Sequence, residues 1–188
     1  YLRKDAVGTM PDYKIVPDTL VYDTDNEMMY LYGPTTIYNK DNILYGNYGW
    51  YNTETELAYL DKRATLRNKE QSMTADTIYY NKKTGYAKAL SDVVIEDTVN
   101  KAIVKGEFAE LWKNNGKCMM TDNLRAIYYE EQDTLFATAD TVYLYFDTLN
   151  NDIQRVKAFY NVRFFRNDIQ GKCDSLHYVM SDSTVYMR

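Results

Sequence analysis

The segment Tyr22-Asp23-Thr24-Asp25-Asn26-Glu27-Met28-Met29-Tyr30 returns 29 residues later as Tyr51-Asn52-Thr53-Glu54-Thr55-Glu56-Leu57-Ala58-Tyr59. After the same step it returns once more as Tyr80-Asn81-Lys82-Lys83-Thr84-Gly85-Tyr86-Ala87-Lys88. A chain repeating at this period is a stack of like supersecondary units, each of which buries its apolar face only against its neighbours. Ile37, Leu66 and Ile95 keep the same step, and Asn39-Lys40-Asp41-Asn42 matches Asn68-Lys69-Glu70-Gln71. Farther along, Thr74-Ala75-Asp76-Thr77 recurs as Thr138-Ala139-Asp140-Thr141, and Asp18-Thr19-Leu20-Val21-Tyr22 as Asp174-Ser175-Leu176-His177-Tyr178. Units therefore begin near positions 18, 47, 76, 107, 140 and 174. The later steps lengthen in the turns, where insertions cost little.

Inside each unit, apolar and polar residues alternate. Leu20 and Tyr22 alternate with Thr19 and Val21, Ile78 and Tyr80 with Thr77 and Tyr79. The second strand of each unit shows the same period at Thr35/Ile37, Ala64/Leu66, Val93/Ile95 and Val162/Phe164. Turn formers fill the gaps at 23–27, 52–56, 81–85 and 114–116. The pattern predicts an all-β chain of repeated antiparallel strands, with no sustained helical spacing. Residues 1–17, with Pro11 and Pro17, form a lead-in, and 18–188 a single repeat domain. Arg188 follows Tyr186-Met187 with no turn or cap, as in a piece of a longer array.

A fixed step stacks equivalent side chains into columns. Leu20 falls with Ile78, Tyr22 with Tyr51 and Tyr80, and Ile37 with Leu66, Ile95 and Phe164. Val93, Leu111, Val142, Leu144, Val162 and Leu176 extend these stripes through the remaining units. Such stripes either face one another across two sheets as solid core or face a ligand. The end strands leave unpaired backbone groups that invite further β-structure.

Composition removes other possibilities. Lys and Arg number 22 against 27 Asp and Glu, a net charge of −5 with no basic cluster, which argues against a nucleic-acid partner. The apolar run Val142-Tyr143-Leu144-Tyr145-Phe146 is far short of the ~20 residues of a membrane-spanning helix. A basic, apolar leader is missing from the first residues, so an export signal has been removed or was never there. Cys118 and Cys173, 55 residues apart, fit neither a redox nor a zinc motif; they read as two small thiols, with a disulfide between them as the alternative in an oxidising compartment. His177 is the single histidine, and its neighbours Asp174 and Ser175 lie on the same short strand, so no triad forms there. Asp18, Asp76, Asp140 and Asp174 recur where strands start, which suits turn and backbone hydrogen bonding better than a metal. No catalytic residue, metal site or cofactor is expected. There is no nucleotide-binding loop.

Two stretches carry a resemblance. Ala75-Asp76-Thr77-Ile78-Tyr79-Tyr80-Asn81 followed by Asp92-Val93-Val94-Ile95, and Ala139-Asp140-Thr141-Val142-Tyr143 followed by Asn161-Val162-Arg163-Phe164, resemble the repeating motif of the OstA/LptA family of lipopolysaccharide-transport proteins. The resemblance runs over residues 14 to 188, in a divergent branch rich in tyrosine and without the usual Gly of Gly-Asn-Val. It implies an open, V-shaped β-jelly roll of two sheets whose apolar interior accepts acyl chains. It also implies a non-enzymatic bridge or carrier in the Gram-negative periplasm, free or attached to the inner or outer membrane through another part of the chain. Lipopolysaccharide or lipid A acyl chains would be the cargo. Other transport jelly rolls, or further copies in head-to-tail association, would join through edge strands. On this reading the column residues line a lipid groove. Two alternatives stay open: a structural or protein-interaction array with a solid core, and a polysaccharide-processing parallel β-helix with acids and bases clustered on one outer face.

Overall fold

The turns come first, because they set where every strand reverses. Asp23 accepts the backbone N–H groups of Asp25 and Asn26, Asn52 those of Glu54 and Thr55, Asn81 that of Thr84, and Asp147 that of Leu149. A short Asx side chain thus closes each reversal on its own backbone. Left-handed residues end the same turns, at Glu27, Glu56, Gly85, Gly116, Asn151 and Ser183. The carbonyl of each of the first four accepts an N–H from the next turn in the stack: Thr53 at 2.9 Å, Lys82 at 3.1 Å, Lys113 at 3.0 Å and Phe146 at 2.9 Å. The period seen in the sequence is therefore a period of backbone hydrogen bonding. A second row of turns, at Asn68 and Asp97, closes the opposite ends of the strands by the same device.

The computed structural model describes residues 2–3, 7–10, 13–40, 42–129 and 133–188. Asp41 of the repeat match and Pro11 of the lead-in fall outside the described residues. Among the described residues, 16 strands form one continuous hydrogen-bonded sheet with antiparallel pairing throughout. Antiparallel ladders exclude the parallel β-helix. The strand Tyr13–Asp23 runs through the end of the lead-in into the first unit without a break.

The sheet is bent along one line. Register breaks fall between Pro17 and Thr19, Tyr32 and Thr35, Leu90 and Val93, Thr121 and Leu124, and Phe159 and Val162. On alternate strands the break holds two residues: Gly33-Pro34, Lys62-Arg63, Ser91-Asp92, Asp122-Asn123 and Tyr160-Asn161. All of these except Pro34 have positive φ. The intervening strands pass with one residue each, at Asp18, Asn47, Asp76, Glu107, Asp140 and Asp174, the positions where the repeat units begin. Two residues against one is a β-bulge, which bends and twists its strand. Stacked at one height, the bulges fold the sheet into two halves that face each other, an open jelly roll.

The four aspartates thus sit at mid-sheet bends and not in turns, a correction to their expected place. Their polar neighbours satisfy the bulge backbone: Glu107 accepts the Asp92 N–H at 3.2 Å, and Asn47 Nδ2 donates to the Lys62 carbonyl at 2.8 Å. Gly33 has no alternative at its bend. Its φ is +77°, and a Cβ there would lie 2.9 Å from the Cβ of Asp18.

Between the halves lies the core. Ile15, Leu31, Leu60, Ile78 and Val93 are fully buried there, each worth about 1.5–3 kcal/mol. The tyrosines mostly take the outward faces. Tyr32, Tyr38, Tyr45 and Tyr48 are exposed, and Tyr59 packs between Trp50 and Tyr79 across the strands at 5.8 and 4.9 Å. Phenolic tips meet water while ring bodies cover the sheet.

The bends generate a test. Asn123 holds φ +54°, which asparagine tolerates and a β-branched residue does not. Asn123→Val should cost about 1–2 kcal/mol, read as a lower melting temperature. An unchanged melting temperature would show that the bend relaxes freely.

Candidate functional site

Strand alternation sends every second side chain inward, and the register aligns those side chains into rows. In the second half-sheet one row reads Ile15, Ile37, Leu44, Leu66, Met73, Ile95, Val104, Ala126, Ala137 and Phe164. Facing it in the first half-sheet runs Tyr22, Met29, Tyr51, Ala58, Tyr80, Ala87, Leu111, Cys118 and Leu144. Nearer the bend lies Leu20, Leu31, Gly49, Leu60, Ile78, Ala89, Ala109, Met120, Val142, Ala158 and Leu176. The columns expected from the sequence are these rows.

The rows change character along the molecule. Up to Ile78 they carry mainly Leu, Ile and Met. Beyond it, Ala87, Ala89, Ala109, Ala126 and Ala137 replace larger residues. A cavity of about 140 Å³ opens between Leu66, Met73, Ile95 and Val104 on one side and Tyr80, Leu111, Cys118, Leu144 and Phe146 on the other. Toward the first strands only about 20 Å³ remains, among Tyr13, Ile37, Leu44, Tyr51, Ala58 and Tyr80.

The mouth of the larger cavity is polar. Asn42, Asn68, Gln71 and Asp97 line one lip, Lys113 and Asn151 the other. Asp97, 8% exposed, accepts from Gln71 Nε2, the Asn100 backbone and Asn100 Nδ2, each at 2.8 Å. Its buried carboxylate is fully engaged, and it ties neighbouring turns into one rim. The arrangement is an amphipathic cleft with a wet edge and a dry interior.

Of the expected groove residues, Leu66, Tyr80, Ile95, Leu111 and Leu144 line the larger cavity, and Ile37 and Tyr51 the smaller. Leu20, Ile78, Val93, Val142, Val162 and Leu176 lie nearer the bend, and Phe164 lies farther along the rail. Tyr22 differs. It is 40% exposed, and its hydroxyl donates to the Glu27 carboxylate, holding that carboxyl below its usual range. At its height, among the described residues, only Met28–Asn39 pairs with its strand.

Met73, Val104, Cys118 and Phe146 were missed. Counting by 29 samples every fourth half-strand. Its antiparallel neighbours appear only on reflection about a turn, which pairs Ile95 with both Met73 and Val104 and Leu111 with Cys118. Ser175 and His177 face outward opposite Phe159 and Lys157, while Asp174 sits at the bend. Both cysteines are free thiols.

The fold and cleft define an antiparallel repeat jelly roll with an apolar interior open along one side. Residues 2–76 match the family described as OstA-like protein. Among solved structures, LptH from Pseudomonas aeruginosa, the LptA-homologous periplasmic component of a lipopolysaccharide transport device, aligns over 76% of this chain and 80% of its own. The identity is 13% and the TM-score 0.28. No curated protein matches.

Two expectations test the site. Asp97→Ala strips three donors of their acceptor and should cost about 2 kcal/mol, lowering the denaturant midpoint; an unmoved midpoint would mean that the rim does not depend on this carboxylate. Burial pushes the Cys118 thiol up to about 12, so below that pH it stays protonated and unreactive. Burial raises Cys173 as well, but it is only half-buried. Alkylation at mildly alkaline pH should modify Cys173 first and Cys118 only on unfolding. Equal rates would contradict the burial of Cys118.

Proposed function

We propose that the chain is a non-enzymatic lipid-binding bridge in the Gram-negative periplasm, carrying lipopolysaccharide toward the outer membrane with its acyl chains between the two half-sheets. The observation that carries this reading is the apolar cavity of about 140 Å³ beneath a polar rim. Each CH₂ leaving water gains about 0.8 kcal/mol, so a chain of about a dozen carbons gains on the order of 10 kcal/mol gross. The rails repeat similar surroundings from strand to strand, so a chain can slide past Ile95, Val104 and Leu144 without a large barrier. Sugars and phosphates stay at the rim beside Lys113, Asn68 and Asn151. The OstA-like match over residues 2–76 supports the same assignment.

Partners would be lipopolysaccharide and other transport jelly rolls, added to the edge strands by backbone pairing. Thr184–Met187 ends the hydrogen-bonded order with one flank unpaired among the described residues, and head-to-tail association of copies would use the same edge. Attachment to either membrane would lie in another part of the chain. The solid packing around Ile15, Leu31 and Leu60 favours a second reading, an interaction array joined by its edges.

Photocrosslinking separates the two. A benzophenone side chain at Ile95 or Leu111 should capture lipopolysaccharide in cells, while one at the fully solvated Leu149 should not. Capture at Leu149 alone would sink the groove and leave the interaction array.

A further inference from the structure

We infer that Tyr80 is a partition that ends the acyl-accepting part of the groove and so sets the length of chain it holds. The inference rests on the acyl-binding reading above and adds a residue that limits it. Tyr80 is 9% exposed and belongs to the walls of both cavities, with about 140 Å³ on one side and about 20 Å³ on the other. Its row neighbours are Ala58 and Ala87, small residues between which a large ring lies across the trough.

Behind the partition the trough is plugged. Tyr51, 4% exposed, meets the ring of Tyr13 edge to face at 5.0 Å. Lys82 lies 5.3 Å over the Tyr13 ring and 3.5 Å from the Glu56 carboxylate, which closes the mouth above the two rings. Burial raises the Tyr13 phenol above its ordinary value, in keeping with a ring held out of water. An acyl chain entering from the larger cavity therefore meets aromatic rings, not a continuation of the groove. From Tyr80 the open part crosses four strand spacings to Leu144, about 19 Å.

The occupant is one saturated acyl chain. An apolar cavity of about 150 Å³ takes a molecule the size of benzene, so the groove as it stands holds a short segment, and a longer chain lodges as the lips part. The lips part on the larger side of Tyr80, and the ring stands between that space and the smaller one.

A ladder of saturated fatty acids from octanoate to stearate, with affinity measured on the purified chain, tests this. For the wild type, each added CH₂ should raise affinity about fourfold, the equivalent of ~0.8 kcal/mol, until the rise stops. Tyr80→Phe should stop at the same length. Tyr80→Ala, which joins the two spaces, should move the stop to longer chains, and Tyr80→Leu, which keeps more of the core should the alanine variant not fold, should move it in the same direction. A stop at the same length in the folded alanine or leucine variant would overturn the partition and leave acyl binding intact. No binding of any member by the wild type would overturn both.

Discussion

A β-bulge repeated at one height in alternate strands is the constraint on which the rest of this structure depends. Without it, the alternating strands would make one long twisted sheet with an apolar face open to water. Pairs such as Ser91-Asp92 and Asp122-Asn123, held at positive φ, turn each strand back over its own apolar side. Left-handed non-glycine residues are costly, and the chain places many of them on one line. That cost is offset by bringing the Ile37–Ile95 rail against the Tyr51–Leu144 rail. The bend therefore creates the interior, and the side chains decide how much of it is filled.

Filling follows from residue size. Leu31, Leu60 and Ile78 fill the row nearest the bend, with Ala89 and Ala109 buried beside them, while the wider space lies between the Leu66–Val104 and Tyr80–Leu144 rails. One backbone plan thus yields a tight core at one end and a cleft at the other. The tight end stabilises the domain. The cleft keeps apolar surface beneath a polar rim, and the Asp97 network ties neighbouring turns along that rim.

Much of this was legible in the residues. The 29-residue step fixed which side chains share a row, and Asx residues marked the turns. Two things escaped. The bends at Asp18, Asp76, Asp140 and Asp174 look in sequence like the starts of strands, because a bulge and a turn use the same polar residues. The return half-strands bearing Met73, Val104 and Cys118 were invisible to a search by translation, since antiparallel neighbours are related by reflection about a turn. Tyr22 shares a row with Tyr51 and Tyr80 yet is exposed; periodicity gives the row and not the covering neighbour.

The proposed seating of acyl chains between the half-sheets requires the lips to part about the bend, and pulsed electron resonance between spin labels at Asn68 and Asn151 measures that parting most directly. The labels go into a chain with Cys173 replaced by serine, Cys118 being buried. Addition of lipopolysaccharide should lengthen the distance between the labels and narrow its spread. A distance unchanged while lipid is bound would place the cargo outside the trough.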